Sequence, residues 1–318
     1  ESLERNNQLK IITTTDTNNY DDRVSTKAQK LIDKHGIAID KLPAKGFITE
    51  ANVESWLSLQ QQKINVNSGG VFLYLDKINT EGITFPYGSK EIPEGKMDAE
   101  FTKRYSKDPE ALRAFSGEDI LTLLKHHGAS IGKGVSVGEA SIIYAPQIVI
   151  GDDVSVASNS TICCNERFIV GELTRFGTQF ELRCRQAVIG SGVFAEDKSI
   201  IGGGGHRDPW AVITIGDDCY LGSELMLNPC RPILIGRNVF ITNRSMLLTH
   251  NVGQSYIDGY ENRFAPIVLE DYSQVGIASV LYAGARVCAE AVIGSNSYVT
   301  GSIPAKKLAM GVPARVVG

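Results

Sequence analysis

Residues 148–190 read IVIGDDVSVASNSTICCNERFIVGELTRFGTQFELRCRQAVIG. An aliphatic residue followed by glycine recurs in that stretch at Ile150-Gly151, Val170-Gly171 and Ile189-Gly190. The pairing begins at Ile131-Gly132, returns at Ile215-Gly216 and Ile235-Gly236, and continues in weaker form at Leu269-Glu270 and Val287-Cys288. The steps are 19, 20, 19, 26, 20, 34 and 18 residues. A short step fits one turn of a parallel β-helix built from three strands of about six residues, each turn stacking on the next. The aliphatic member of each pair is expected to point into the shaft, and the glycine to permit the tight corner.

The two long steps locate insertions. One lies at GGGGHRDP, 202–209, and the other is the stretch NVGQSYIDGYENRF, 251–264, which begins one residue after His250. Surface excursions from a rigid repeat are where binding and catalysis concentrate. GGGGHRDP lacks the Gly-Lys-Ser/Thr ending and following helix of a phosphate loop. It reads as a flexible lip, with His206 and Arg207 as candidate acceptor contacts. Tyr256 and Tyr260 are candidates for stacking on a sugar. The Asp pairs at 152–153 and 217–218 occupy corner positions and read as solvated turn residues, not as paired catalytic acids.

Upstream of the repeat the chain changes character. Residues 1–24 read as a tail or linker, 25–57 as a small helical domain, 58–127 as a mixed connecting region and 128–318 as the β-helix. Ser25 is expected to cap a helix with Ala28, Leu31 and Ile32 on one face, ended by Gly36. Thr49 opens a second helix with Val53, Trp56 and Leu57 inward. A strand is expected over 69–77, a helix over 108–115, and a capped amphipathic helix over 116–127 with Ser116 followed three residues on by Asp119. The pieces KAQKLIDKHGIAIDKL and GFITEANVESWL resemble the peripheral-subunit-binding domain of 2-oxoacid dehydrogenase acyltransferases, with the central loop shortened to PAKG and Phe47 where an arginine usually follows the glycine. That resemblance implies a protein partner for residues 25–57.

The composition bounds the function classes. A formal net charge of −4 over 318 residues argues against general affinity for nucleic acid or anionic membranes. No apolar run approaches the roughly 20 residues of a membrane span. The chain opens on Glu1, as expected of a processed product or a piece of a longer protein. The cysteines, at 163, 164, 184, 219, 230 and 288, form no C-x-x-C pair and mostly sit among aliphatic residues. They read as reduced, structural thiols in a cytoplasmic compartment, with the adjacent Cys163 and Cys164 the pair most prone to oxidation.

Residues 215–318 resemble the hexapeptide-repeat acyltransferases, especially the maltose and galactoside O-acetyltransferases and their polysaccharide-modifying relatives. In that family a histidine ends a coil, a loop follows and the helix resumes with Pro-Ile; here His250 is followed sixteen residues later by Pro266 in APIVLEDYSQVG. The closing stretch YAGARVCAEAVIGSNSYVTGSIPAKKLAMGVPARVV, 282–317, carries the most specific pieces, IP and GVPARV. The resemblance implies an all-β, left-handed parallel β-helix preceded by the small helical domain, a homotrimer, acetyl-CoA as donor and a sugar or glycan as acceptor. It also implies His250 as general base and Gly276, Ile277, Gly294, Ser295, Thr300, Lys306, Lys307 and Arg315 along the cofactor, with Gln274 where the family often has tryptophan, at the acceptor pocket. The chemistry needs a base near neutral pKa, which histidine supplies, and a donor for the developing oxyanion, for which the backbone N–H of Gly276 is the candidate. N-acylation of an amino sugar or nucleotide sugar would use the same base. A docking protein that recruits a partner through 25–57 is the non-enzymatic alternative. A zinc site of three histidines is not available, because the repeat holds only His206 and His250; no metal is expected.

Overall fold

The computed structural model describes residues 24–35, 48–50, 52–53, 78–87, 92–203, 208–251, 259 and 262–317. Cα packing divides the chain into Glu1–Lys77 and Ile78–Gly318. In the first, helix α1 spans Thr26–His35. The Ser25 hydroxyl accepts from the Ala28 N–H at 3.2 Å, and Thr49 exchanges side-chain hydrogen bonds with Asn52. Ala28, Ile32, Ile48 and Val53 form the buried cluster, with Val24 and Leu31 packed on it. Gly36, Trp56, Leu57 and the strand expected over 69–77 lie outside the described residues.

The second unit opens with α2, Ala99–Tyr105, capped by Asp98 through the Phe101 N–H. The helix expected over 108–115 is a 3₁₀ segment, Pro109–Ala114. Asp108 makes no side-chain cap there and Phe115 is already extended, so the run never reaches α-helical length. Helix α3, Gly117–His126, carries the expected cap: the Ser116 hydroxyl accepts from the Asp119 N–H. Phe101, Tyr105, Leu112, Ile120 and Leu124 are buried in the same core as the first coils, with Phe101 stacked on Tyr144 at 5.9 Å.

From Ser130 onward the chain is a parallel β-solenoid of about eight turns. The aliphatic members of the repeat lie in one register column: Ile131 on Ile150, Ile150 on Val170, Val170 on Ile189, Ile189 on Ile215, Ile215 on Ile235, Ile235 on Leu269 and Leu269 on Val287. From Ile150 on, each is buried. The period of the sequence is therefore the stacking period of the coils, and the column forms one wall of a continuous core.

The corners revise the reading of the glycines. Gly132, Gly151, Gly171, Gly190, Gly216 and Gly236 do not take the left-handed conformation; it falls two residues later, at Gly134, Asp153, Leu173, Gly192, Asp218 and Asn238. What the column needs is closeness. A Cβ on Gly216 would stand 2.5 Å from the Arg237 nitrogen, and one on Gly151 2.5 Å from that of Glu172. The first Asp of each pair is likewise more than a solvated turn residue. Asp152 Oδ1 accepts from the Lys133 N–H and Asp217 Oδ1 from the Ser191 N–H, both at 2.8 Å.

Where the main-chain ladder skips at a second corner, buried hydroxyls fill the gap. Ser160, Ser199, Ser245 and Ser279 donate to the carbonyls of Gly177, Gly222, Gly276 and Gly294. Each hydroxyl also accepts an N–H from a neighbouring coil. At the first corner Cys219 plays the same part with sulfur, donating to the Gly236 carbonyl at 3.0 Å and accepting from the Val239 N–H at 3.4 Å.

All six cysteines are free thiols. Burial pushes Cys219 up to about 12 and Cys163 up to about 11, so neither is a nucleophile near neutral pH. The close pair is not Cys163 with Cys164. Neighbours on a strand point to opposite sides, and Cys164 meets Cys184 of the next coil with sulfurs 3.8 Å apart. A segment ahead of the helices is clasped to the shaft: Thr84 N donates to Asp271 Oδ1 at 2.7 Å, and Arg286 donates to the carbonyls of Asn79 and Glu81 at 2.6 Å while pairing with Glu270. Among the described residues no helix is long and apolar enough to cross a membrane.

The glycine column makes a direct prediction. Gly216→Ala should cost about 1–3 kcal/mol by forcing two coils apart, seen as a lowered thermal midpoint. Gly301→Ala, where a Cβ meets nothing within 4 Å, should leave the midpoint within a degree or so of the wild type.

Candidate active site

The second insertion leaves the shaft as a two-stranded arm. His250–Asn251 and Arg263–Phe264 pair antiparallel, with His250 opposite Phe264 and Asn251 opposite Arg263. Residues directly opposite share a face of such a ribbon, so the imidazole and the phenyl ring lie together. Their centroids are 5.7 Å apart and their planes 15° from parallel. The Arg231 guanidinium carbon lies 4.7 Å from the Phe264 ring centroid. Arg231 Nη1 in turn meets Asp208 Oδ2 at 3.3 Å, and Asp208 is the end of the first insertion. The neighbouring Pro209 carbonyl accepts from Arg185 at 3.0 Å. Both excursions therefore root at the same edge of the solenoid.

Thr249 fixes the backbone at the arm's root. It is fully buried; its hydroxyl donates to the Asn228 carbonyl at 2.7 Å and accepts from the Arg231 N–H at 3.0 Å. Its own carbonyl accepts from the Ala265 N–H at 3.0 Å. This is the corner-hydroxyl device of the shaft, used here to seat the residue before His250. The return strand is gripped as well, since the Ile267 N–H donates to the Pro232 carbonyl at 3.1 Å. His250 is half-buried. Among its ring nitrogens Nδ1 is sealed off without a hydrogen-bond partner among the described residues. An imidazole stacked flat, with one nitrogen enclosed, is suited to presenting the other to a ligand.

The expected site residues distribute unevenly. Thr300 directly follows Val299, which shares a register column with Leu281 and Leu247. Gly276, Ile277, Gly294 and Ser295 lie at the opposite edge of that face, where Gly276 and Gly294 carbonyls take the serine hydroxyls. Between the edges runs an outward strip of Met246, Val280 and Tyr298. The Gly276 N–H is not available to an oxyanion: it donates to the Ile293 carbonyl at 2.8 Å, because the parallel ladder claims it. Gln274 is exposed on the adjoining face, aligned with Phe240 and Val292. Lys306 sits at the first corner, just past the aliphatic column, and pairs with Glu290 at 3.5 Å, while Lys307 and Arg315 are exposed in the closing turns. His206, Arg207, Tyr256 and Tyr260 lie outside the described residues. Sequence reasoning passed over Arg231, Phe264 as a partner of the histidine, and Asp208. The available signal was the run NPCRP, 228–232, an arginine locked between prolines one coil before His250.

Compared with known proteins, the chain matches no family model and no curated sequence. Among solved structures it is similar to a hexapeptide-repeat-containing acetyltransferase from Vibrio cholerae, at 30% identity and a TM-score of 0.31, over 33% of this chain and 61% of that one. That match spans less than two thirds of the Vibrio protein. It is also similar to the polySia-specific acetyltransferase NeuO, at 18% identity and a TM-score of 0.33, over 59% of this chain and 83% of that one. A third is AntD, an N-acyltransferase from Bacillus cereus in complex with dTDP and 3-hydroxybutyryl-CoA, at 15% identity and a TM-score of 0.34, over 64% of this chain and 87% of that one. The stacked Ile-Gly column and the three-sided coils, seen in this chain's own coordinates, make it a parallel β-solenoid.

Proposed function

We propose that the chain is an acetyl-CoA-dependent O-acetyltransferase acting on a hydroxyl of a sugar or polysaccharide, with His250 as general base. The observation that carries the reading is the histidine itself. Among the described residues it is the only one in the solenoid, and it stands at the root of an arm with its ring held by Phe264. In the reaction the imidazole takes the hydroxyl proton as the acceptor oxygen attacks the thioester carbonyl. The C–S bond breaks, the proton passes to the departing thiolate, and the products are the O-acetyl ester and CoA.

The face beside His250 suits the donor. Met246, Val280 and Tyr298 form a flat apolar strip, edged by the small residues Gly276, Gly294, Ser295 and Thr300. A thin pantetheine arm can lie against such a strip, with Lys307 and Arg315 as cations for its phosphates. The working unit proposed is a homotrimer with shared sites. A solenoid is filled by its own side chains and has no interior for a substrate, and a flat face alone does not enclose a cofactor. Met246, Phe264 and Ile277 are 39%, 41% and 44% exposed, and a second shaft would cover them while closing a cleft.

His250→Ala should leave the fold and CoA binding intact and lower turnover by roughly 10²–10⁴-fold, the usual worth of a general base. The assay is thiol release from acetyl-CoA against a panel of methyl glycosides and short glycans; near wild-type turnover in the variant would overturn the mechanism. A docking protein would show no CoA-binding heat in calorimetry at all. Light scattering behind size exclusion should report about three chains per particle, and a fully active monomer at assay concentration would contradict the shared site.

A further inference from the structure

We infer that Arg231 is a positioning residue for His250, holding Phe264 flat against the imidazole and tying the first excursion to the base through Asp208. The inference rests on the reading of His250 as the base. Four groups from three separate parts of the chain form one line: Asp208, Arg231, Phe264 and His250, with contacts of 3.3, 4.7 and 5.7 Å.

Each neighbour of the line leaves Arg231 little freedom. Its backbone N–H is bound to the buried Thr249 hydroxyl at 3.0 Å, and Nη1 also donates to the Cys230 carbonyl at 2.7 Å. Pro232 follows it and Pro229 precedes it by two, restricting the backbone on both sides. Phe264 is the opposite case. It sits on a strand of two residues and is 41% exposed, so the shaft alone does not fix its ring. A guanidinium over the ring supplies a directional hold that an aliphatic side chain would not. The imidazole inherits that hold, since its flat contact is with Phe264, and catalytic groups are effective only when their orientation is fixed by such supporting contacts.

The Asp208 contact gives the arrangement a second use. The first excursion returns to the shaft at Asp208 and Pro209, pinned by Arg231 from one side and by Arg185 from the other. Arg231 touches no reacting atom in this account; it acts through Phe264.

Full-length protein carrying ¹³C-labelled histidine provides the test. Five histidine signals are expected, and loss of one in His250→Asn assigns the base. Ring current from Phe264 should place the His250 Cε1–Hε1 signal upfield, and Phe264→Leu should return it toward the unperturbed position. Arg231→Met should move it in the same direction or broaden it with the thermal midpoint unchanged, Asp208→Asn should move it less, and Arg231→Lys should keep it near wild type. In the glycan assay Arg231→Met should lower kcat about tenfold with KM for acetyl-CoA unchanged, and Arg231→Lys should restore most of it. A His250 signal that stays put in Arg231→Met and in Asp208→Asn overturns the proposal, as does one indifferent to Phe264→Leu. Should Arg231→Met fail to fold, Asp208→Asn, which leaves the stacked groups intact, decides alone. Full activity in His250→Ala would defeat the reading of His250 as the base instead, while the histidine spectrum would still decide the brace.

Discussion

The parallel hydrogen-bond ladder sets one distance, the roughly 4.8 Å between successive coils, and the rest of this molecule accommodates it. At that spacing a Cβ on the corner glycines Gly151 and Gly216 would stand 2.5 Å from the next coil's backbone, so glycine recurs along most of the first corner. Elsewhere side chains must stack like on like, which gives the column from Ile131 to Val287. Donors that the ladder misses at the corners need acceptors that travel with the coil, and these are the buried hydroxyls of Ser160, Ser199, Ser245 and Ser279 and the thiol of Cys219. An unpaired buried donor would cost about 1–3 kcal/mol at each turn, so the repeat of polar residues is as structural as the repeat of aliphatic ones.

The same economy pushes function off the shaft. A coil that uses its main chain and fills its interior has neither a free donor nor a cavity, as the claimed N–H of Gly276 illustrates. Chemistry can be added only where the chain departs from the repeat. It departs at one edge twice, and the two departures meet through Asp208, Arg231, Phe264 and His250. Thr249 shows how the transition is made. The hydroxyl that elsewhere completes the ladder is placed one residue before His250, where the arm begins.

The fold was legible because its period is written in residue type: an aliphatic residue before a glycine, 18–20 residues apart, is readable without coordinates, and the two longer steps located both insertions. His250 was legible for the same reason, as a titratable residue at the lip of a break. What escaped depends on conformation or on contacts across coils. Residue type does not reveal φ, so the sequence placed glycine at the tight corner without showing that the left-handed residue there falls two positions later, at Asp153 and Asn238 among others. Nor does it reveal which N–H is spent, which is why Gly276 looked available. Cys164 meets Cys184, and Arg231 meets Phe264; each pair is separated in sequence by at least one whole coil and becomes a neighbour only once the register is known.

The central claim is that the arm root is where acetyl transfer takes place, and a crystal structure of the full chain soaked with acetyl-CoA tests it most directly. The account predicts the thioester at the edge that carries His250, within reach of the imidazole, with the pantetheine arm along the Met246–Val280–Tyr298 face. Acetyl-CoA bound with its thioester at a different corner, or no binding by folded protein at saturating ligand, would contradict it.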